Sequence, residues 1–162
     1  MSVASMDELF EHELQDIYFA AHELTTAYER MAELSEDEEI EQLFRSHLDE
    51  TATHIDRLVE VFEESGEPPQ TEECEGIEGL LTEWEEFVEE GESGPVLDYY
   101  NLVTAMKTER YEQSAYESLV ALARESGRDD AADLLQSNLE EDEAALDDIS
   151  EAAASYDYDS LS

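Results

Sequence analysis

Two histidines and two acids fall on helical positions of this chain that should otherwise be apolar. His47, Glu50 and His54 form a stripe at spacings of three and four residues along one predicted helix, and Glu109 takes an inner position of another. A carboxylate and an imidazole three or four residues apart on a helix point the same way and can reach one metal ion. Helical bundles hold metal ions with inward-pointing side chains of this kind. The pattern therefore predicts a metal site inside a helical bundle.

Further acids lie on or beside the inward faces of the other predicted helices. Beyond Glu50 and Glu109, the candidates are Glu13, Asp16, Glu112, Glu141 and Asp142. Burying an unpaired carboxylate costs several kcal/mol or forces it to take a proton, whereas two divalent cations would neutralise such a set. Oxygen-rich ligation with one or two imidazoles suits iron or manganese better than structural zinc, which favours Cys and His.

Each candidate also has a structural interpretation. With 47 Asp and Glu in the chain, some acids must lie near an apolar stripe by chance, and an interior His is often simply hydrogen-bonded. Lys107 and Arg110 lie beside Glu109 in the sequence, so a buried ion pair could satisfy that acid without metal. A structural or interaction protein that binds no metal is therefore the alternative hypothesis.

The spacing of apolar residues predicts four long helices and one short helix. Ser5 with Glu8, and Ser35 with Glu38, have the pattern of capping boxes, while Pro68-Pro69 and Gly94-Pro95 interrupt the pattern. No segment alternates long enough to predict a strand. The predicted helices cover about residues 5–33, 35–66, 71–90, 95–126 and 129–153.

The order of these helices predicts the topology. Two helical hairpins are separated by a segment over about 66–95 that is long enough to run the length of a bundle, and one long crossover is typical of the ferritin-like four-helix bundle. We therefore predict an all-α ferritin-like domain over residues 1–154 and a frayed tail over 155–162. The rival topology is an up-down-up-down bundle with the middle segment as a fifth packed helix.

An internal repeat supports a shared site. Glu13-x-x-Asp16 resembles Glu109-x-x-Glu112, and the residues before Glu50 resemble those before Glu141. A duplicated hairpin would bring matching acids together at the bundle centre.

The charge balance limits the possible partners. Against 47 Asp and Glu stand 7 Lys and Arg, which gives a formal net charge of −40. Such a surface predicts a salt-rich, halophilic cytoplasm or cation binding, and argues against nucleic acid and anionic membranes. An acidic binder of basic partners is a third hypothesis. The chain contains one cysteine and no spanning apolar run, which favours a cytoplasmic location and no membrane segment.

The chain resembles the YciE/YciF family of ferritin-like stress proteins, in an acidic, halophile-type form. The most distinctive stretches are Cys74 to Leu80 and Glu109 to Glu112, and the likeness covers roughly residues 5–153. The resemblance implies a ferritin-like bundle, a homodimer, a two-metal carboxylate site and expression linked to stress, but no defined reaction. Arg110 stands where the family usually has His, and an Arg cannot ligate a metal.

These observations together predict a dinuclear carboxylate site with iron favoured over manganese. Glu50 and Glu141 would bridge two ions, and His54 would supply one nitrogen. Terminal oxygens would come from Glu13, Asp16, Glu109 and Glu112. The expected chemistry is iron oxidation or peroxide handling, so that oxygen or peroxide is a partner. For the homodimer, the apolar face of the short helix, with Leu80, Leu81, Trp84 and Val88, is the candidate surface unless it packs on its own bundle.

Overall fold

The computed structural model describes residues 2–91 and 93–162, and this part of the chain is all-α and contains no strand. The helices are α1 (Met6–Leu34), α2 (Glu38–Ser65), α3 (Glu75–Glu89), α4 (Pro95–Glu125) and α5 (Asp129–Ala154), followed by a 3₁₀ helix (Tyr158–Leu161). The predicted all-α class is confirmed. No helix in the described ranges is both long and apolar enough to cross a membrane.

The helix ends follow local capping chemistry, with one correction. The Ser5 hydroxyl accepts a hydrogen bond from the backbone N–H of Glu8 at 3.2 Å and begins α1, as predicted. The predicted cap Ser35 is wrong, because its hydroxyl donates back to the Met31 carbonyl and closes α1 instead. Asp37 caps α2, because its carboxylate accepts hydrogen bonds from the backbone N–H groups of Glu39 and Ile40 at 2.9 and 3.2 Å. A carboxylate is also the better partner for the positive end of the helix dipole.

The short helix begins later than the sequence predicted. It starts at Glu75 rather than near residue 71, since the preceding segment stays extended after Pro68-Pro69 and carries Glu72 to the side of α1. There the Glu72 carboxylate lies 2.9 Å from Nδ1 of His12.

The helix directions confirm the ferritin-like topology. Tyr28 of α1 bonds to Thr108 of α4, while the loop after α1 bonds to Asp98 at the start of α4. These two contacts make α1 and α4 antiparallel. Because α1 and α2 form an antiparallel hairpin, α2 and α4 run parallel, and the crossover spans the bundle. The rival up-down-up-down order would place α1 and α4 parallel and is therefore wrong.

The apolar face of α3 packs on its own bundle. Ile77, Leu81 and Trp84 are buried there, and the Trp84 indole N–H donates to the Asn101 side-chain oxygen at 2.8 Å. The interpretation of this face as a dimer surface is corrected, since its anchoring side chains already have intramolecular partners. A homodimer stays a prediction.

The C-terminal residues are held by tyrosines rather than frayed. The Tyr156 hydroxyl donates to the Pro95 carbonyl at 3.0 Å, and the Tyr158 hydroxyl donates to the Ala153 carbonyl at 2.8 Å. Both rings pack near Tyr99 of α4. The prediction of a frayed tail overlooked these bonds, which join it to the start of α4 and the end of α5.

Asp98 fastens the start of α4 to the loop between α1 and α2. Its carboxylate, 2 % exposed, accepts the backbone N–H groups of Glu36 and Asp37 at 3.0 and 2.9 Å. Asp98→Ala would leave both donors without their partner, so we expect the free energy of unfolding to fall by about 2–4 kcal/mol. Urea titration monitored by circular dichroism measures this change. The exposed-site control Asp49→Ala should change it by less than about 0.5 kcal/mol, and equal effects of the two substitutions would refute the role of Asp98.

The net charge of −40 predicts a strong salt dependence of stability. Raising KCl from about 0.1 M to about 1 M shortens the Debye length from roughly 10 Å to roughly 3 Å, which weakens repulsion between surface acids. We therefore expect Tm to rise by at least about 8 °C, equivalent to a gain of about 2–4 kcal/mol for a chain of this size. Differential scanning calorimetry tests this expectation, and a Tm that does not change with KCl would contradict it.

Candidate metal centre

Four ionisable side chains meet in the interior of the bundle. His47 comes from α2, Glu109 and Glu112 come from α4, and Asp142 comes from α5. Each is at most 4 % exposed. Polar residues are this deeply buried only when a partner compensates for the lost hydration, so the compensation within this cluster decides its chemistry.

The donor atoms of the central cluster converge. One ligand atom each of His47, Glu109 and Glu112 lies within 4.8 Å of the other two, and Nε2 of His47 directly contacts Oε1 of Glu109. On the α1 side, the Tyr28 hydroxyl donates to that same Glu109 oxygen at 3.1 Å and lies 2.7 Å from the Thr108 hydroxyl. The phenol therefore orients Glu109, as an outer partner orients a metal ligand.

Burial and mutual repulsion shift the titration of these groups. Desolvation, followed by the charge of Glu109, raises the pKa of Glu112 well above its ordinary value. Burial, then Glu112 and Glu109, does the same to the pKa of Asp142. For His47, burial favours the neutral form, but the charge and hydrogen bond of Glu109 outweigh it and raise the pKa to about 10. If all three carboxylates were ionised, their charge would exceed what His47 alone can balance, so burial favours the protonated forms of Glu112 and Asp142.

No lysine or arginine in the described part of the chain forms an ion pair with Glu109, Glu112 or Asp142. Lys107 is exposed and pairs with Glu83, and Arg110 is also exposed. The sequence-based alternative, in which these two bases neutralise Glu109, is therefore wrong. The reason is helical geometry, because residues one or two positions from an inward residue point elsewhere.

Several buried donor atoms of the cluster have no hydrogen-bond partner. They are Oε2 of Glu109 and both carboxylate oxygens of Asp142. Leaving such an atom unpaired costs about 1–3 kcal/mol. Carboxylate oxygen and imidazole nitrogen are also the donor types that iron and manganese take in proteins. The central cluster therefore fits a transition-metal ion.

A second donor set adjoins the central cluster. Nδ1 of His54 lies 3.4 Å from Oδ1 of Asp142, and Nε2 lies 2.8 Å from Oε2 of Glu141. Arg57 donates to both oxygens of Glu141, at 2.7 and 2.9 Å, and this guanidinium holds the pKa of Glu141 below its ordinary value. Burial lowers the pKa of His54. A neutral imidazole is the ligand form of histidine.

The structure brings some of the predicted ligands together and separates others. Glu109 and Glu112 lie in the central cluster, and His54 and Glu141 adjoin it. Glu50 stands at the edge with its side chain 44 % exposed, 3.5 Å from Nδ1 of His47. Glu141 contacts both Arg57 and His54, and its bridging role stays a prediction.

Glu13 and Asp16 lie away from the central cluster. The α1 residue at the level of Glu109 is Tyr28, twelve residues from Asp16, which is roughly 18 Å of helix. The groups that shift the pKa of Asp16, beyond its burial, are His12, Glu13, Glu72 and Cys74, and none belongs to the central cluster. The internal repeat therefore does not place matching acids opposite each other, because α1 and α4 are antiparallel and their repeats lie at different heights.

Sequence reasoning left out two members of the cluster. His47 and Asp142 were recognised on inward arcs but not included among the predicted ligands, although their spacing carried the signal. Tyr28 lies on the apolar stripe of α1, and nothing in the sequence pattern distinguishes its hydroxyl from that of a buried tyrosine elsewhere. Arg57 is the other omission, since only the three-dimensional structure reveals its pairing with Glu141.

Comparison with known proteins gives a consistent result. Residues 5–157 match the family described as a domain of unknown function, DUF892. The protein YciF of Escherichia coli K12 is 36% identical over 145 residues, which are 89% of this chain and 87% of that protein. The crystal structure of the E. coli stress protein YciF superposes with a TM-score of 0.88 at 33% identity and covers 94% of this chain and 96% of that one. YcfI of Rhodopseudomonas palustris superposes with the same TM-score at 36% identity, covering 92% and 95% of the two chains.

Proposed function

This chain belongs to the DUF892 family, with YciF among its relatives, and we propose that it is a ferritin-like protein whose central cluster binds divalent transition metal. His47, Glu109 and Glu112 hold the first ion. Asp142, His54 and Glu141 hold a second ion beside it, so that the site is dinuclear. We also propose a role in stress response, by analogy with the relative whose name describes a stress protein.

One observation carries the proposal. Three carboxylates are buried around one imidazole with no Lys or Arg paired to any of the three in the described ranges, and oxygens on two of them lack any hydrogen bond. Protonation or a metal ion can neutralise such a cluster. Carboxylate oxygens and imidazole nitrogens converging inside a four-helix bundle are the usual construction of a dinuclear metal site.

The residues around the cluster divide the work of such a site. Tyr28 donates a hydrogen bond to Glu109 and contacts Thr108, so it orients the Glu109 carboxylate. Glu50 at the cluster edge supplies a partly exposed carboxylate. Asp142 links the two donor sets, since it lies beside His54 and interacts with Glu109. Arg57 holds Glu141 outward, so loading the second ion requires exchange of an Arg57 bond for a metal bond.

Iron or manganese in this site would supply one-electron redox chemistry toward oxygen or peroxide. The chain's own contribution is to bind and orient the ions and to exclude bulk water from them, since the central side chains are nearly inaccessible. Glu50 and Glu141 are the partly exposed acids beside the cluster. Of these two, only Glu50 is not a proposed ligand, and it is the group placed to pass protons between the cluster and solvent.

Electron paramagnetic resonance of added Mn(II) tests the proposal. Wild-type protein should convert the free six-line Mn(II) signal into that of a bound, spin-coupled pair. Glu112→Gln should lose that coupled signal, whereas Glu117→Gln, an exposed change on the same helix, should keep it. An unchanged free-ion signal with wild-type protein would favour the metal-free structural alternative.

A further inference from the structure

A second group of metal-ligating side chains lies where the crossover meets α1. His12 and Asp16 are one turn apart on α1 and point the same way, while Glu72 comes from the extended segment before α3. Nδ1 of His12 is 2.9 Å from a Glu72 oxygen, and Nε2 is 3.9 Å from an Asp16 oxygen. One ligand atom from each of the three lies within 4.8 Å of the others.

This peripheral cluster is separate from the central one and is built from other residues. Asp16 lies roughly 18 Å along α1 from the level of Tyr28. The cluster combines one imidazole with two carboxylates drawn from two distant parts of the chain, and the three side chains are 20 to 34 % exposed. Water can therefore reach the cluster and exchange with a bound ion.

Two features show that the cluster has room for a further partner. The buried oxygen Oδ1 of Asp16 has no hydrogen bond. In the described ranges, no Lys or Arg forms an ion pair with Asp16 or Glu72, and both acids have only His12 as an ion-pair partner. Two carboxylates thus share one imidazole, and a cation at their centre would satisfy all three.

We propose that His12, Asp16 and Glu72 bind one Zn(II) ion that fastens the crossover to α1. Three protein ligands that include an imidazole, with a remaining position open to water, match the zinc sites that keep one coordination position open. Mg(II) and Ca(II) favour all-oxygen ligation, and zinc binds such a mixed set more tightly than Mn(II) or Fe(II).

The ion acts on the segment that leads into α3. Glu72 is the ligand from the crossover, two residues before Cys74, whose thiol lies 2.6 Å from the Tyr111 hydroxyl of α4. Two residues after Cys74, Gly76 lies close to the ring of the same Tyr111. A metal bond to Glu72 would thus order residues 66–74 and support the seating of α3 on α4.

Hydrogen exchange with and without Zn(II) tests this proposal on the full chain. We would use Glu112→Gln/Asp142→Asn as the parent protein, because it lacks two ligands of the proposed central site. A failure of the proposed function can then be distinguished from a failure of the peripheral zinc site. Zn(II) should slow amide exchange in residues 66–74, and equilibrium dialysis should give about one ion per chain. Adding Glu72→Gln should abolish the slowing and raise the Kd for Zn(II) at least about tenfold. A tenfold loss is already typical when only a hydrogen-bond partner of a metal ligand is removed.

Glu73→Gln is the matched control, because it removes the same charge from an exposed neighbouring position. It should bind Zn(II) like the parent. His12→Gln gives a second test from α1 and should lose binding as Glu72→Gln does. Equal Zn(II) affinity in the parent and Glu72→Gln, or binding that leaves the exchange of residues 66–74 unchanged, would overturn the proposal.

Discussion

Glu112→Gln should stabilise the metal-free protein by about 1–3 kcal/mol, because it removes a buried acid whose charge is opposed by burial and by Glu109. The same substitution should abolish stabilisation by Fe(II) or Mn(II). In the wild type, metal at about 1,000 times Kd should add about 4 kcal/mol. One substitution therefore changes stability in opposite directions in the two states, which simple packing damage would not do.

Anaerobic thermal unfolding with and without metal measures both effects. Glu117→Gln removes the same charge from an exposed position of the same helix, so it should respond to metal like the wild type. A Glu112→Gln protein that is destabilised without metal, yet gains as much stability from Fe(II) as the wild type, would refute the role of Glu112.

The metal-free protein should lose stability steadily as pH rises from about 4 to about 10. Raised native pKa values mean that folded Glu112 and Asp142 bind protons that the unfolded chain has released, so stability falls as pH rises above their ordinary values. His47 acts in the same direction. The stabilisation of the folded state by His47 is complete below the ordinary histidine pKa of 6.5, and it is lost as pH rises toward the native pKa of about 10. We expect a total loss of at least about 2 kcal/mol.

Chemical denaturation across this pH range, in high salt to suppress surface repulsion, tests the prediction. The variant Glu112→Gln/Asp142→Asn should show a flatter profile. Metal-loaded wild type should show the reverse slope in the acidic half, because metal binding requires deprotonated ligands and strengthens as pH rises. A metal-free wild type as flat as the double variant would contradict the buried-charge account.

The sequence predicted which way a side chain points around its helix better than where that side chain lies along the bundle axis. Apolar spacing placed His47, His54 and Glu109 inward, and all three are buried, as is Glu112, which the same spacing puts at the flank of its helix. The same arithmetic placed Glu13 and Asp16 in the site, where Tyr28 actually stands. A periodicity of 3.6 residues gives direction around a helix, but position along the axis depends on how antiparallel helices are registered, which loops and caps determine.

Residues in irregular segments escaped prediction for a related reason. Glu72 lies in the crossover and reaches His12 across sixty residues of sequence, and no periodic pattern covers such a segment. Arg57 lies on α2, and it donates to both carboxylate oxygens of Glu141 on α5. Its effect depends on the packing of α2 against α5. The capping signal at Ser5 was more informative, since α1 begins there as predicted.

The most direct test of the central claim is the iron content of the chain. Protein purified in high salt without chelator, and reloaded anaerobically with Fe(II), should contain about two iron ions per chain by elemental analysis. Glu112→Gln/Asp142→Asn should lose them, while Glu117→Gln should retain them. No retained iron in the wild type, or equal iron in the wild type and the double variant, would show that the buried acids are neutralised by protons and His47 instead.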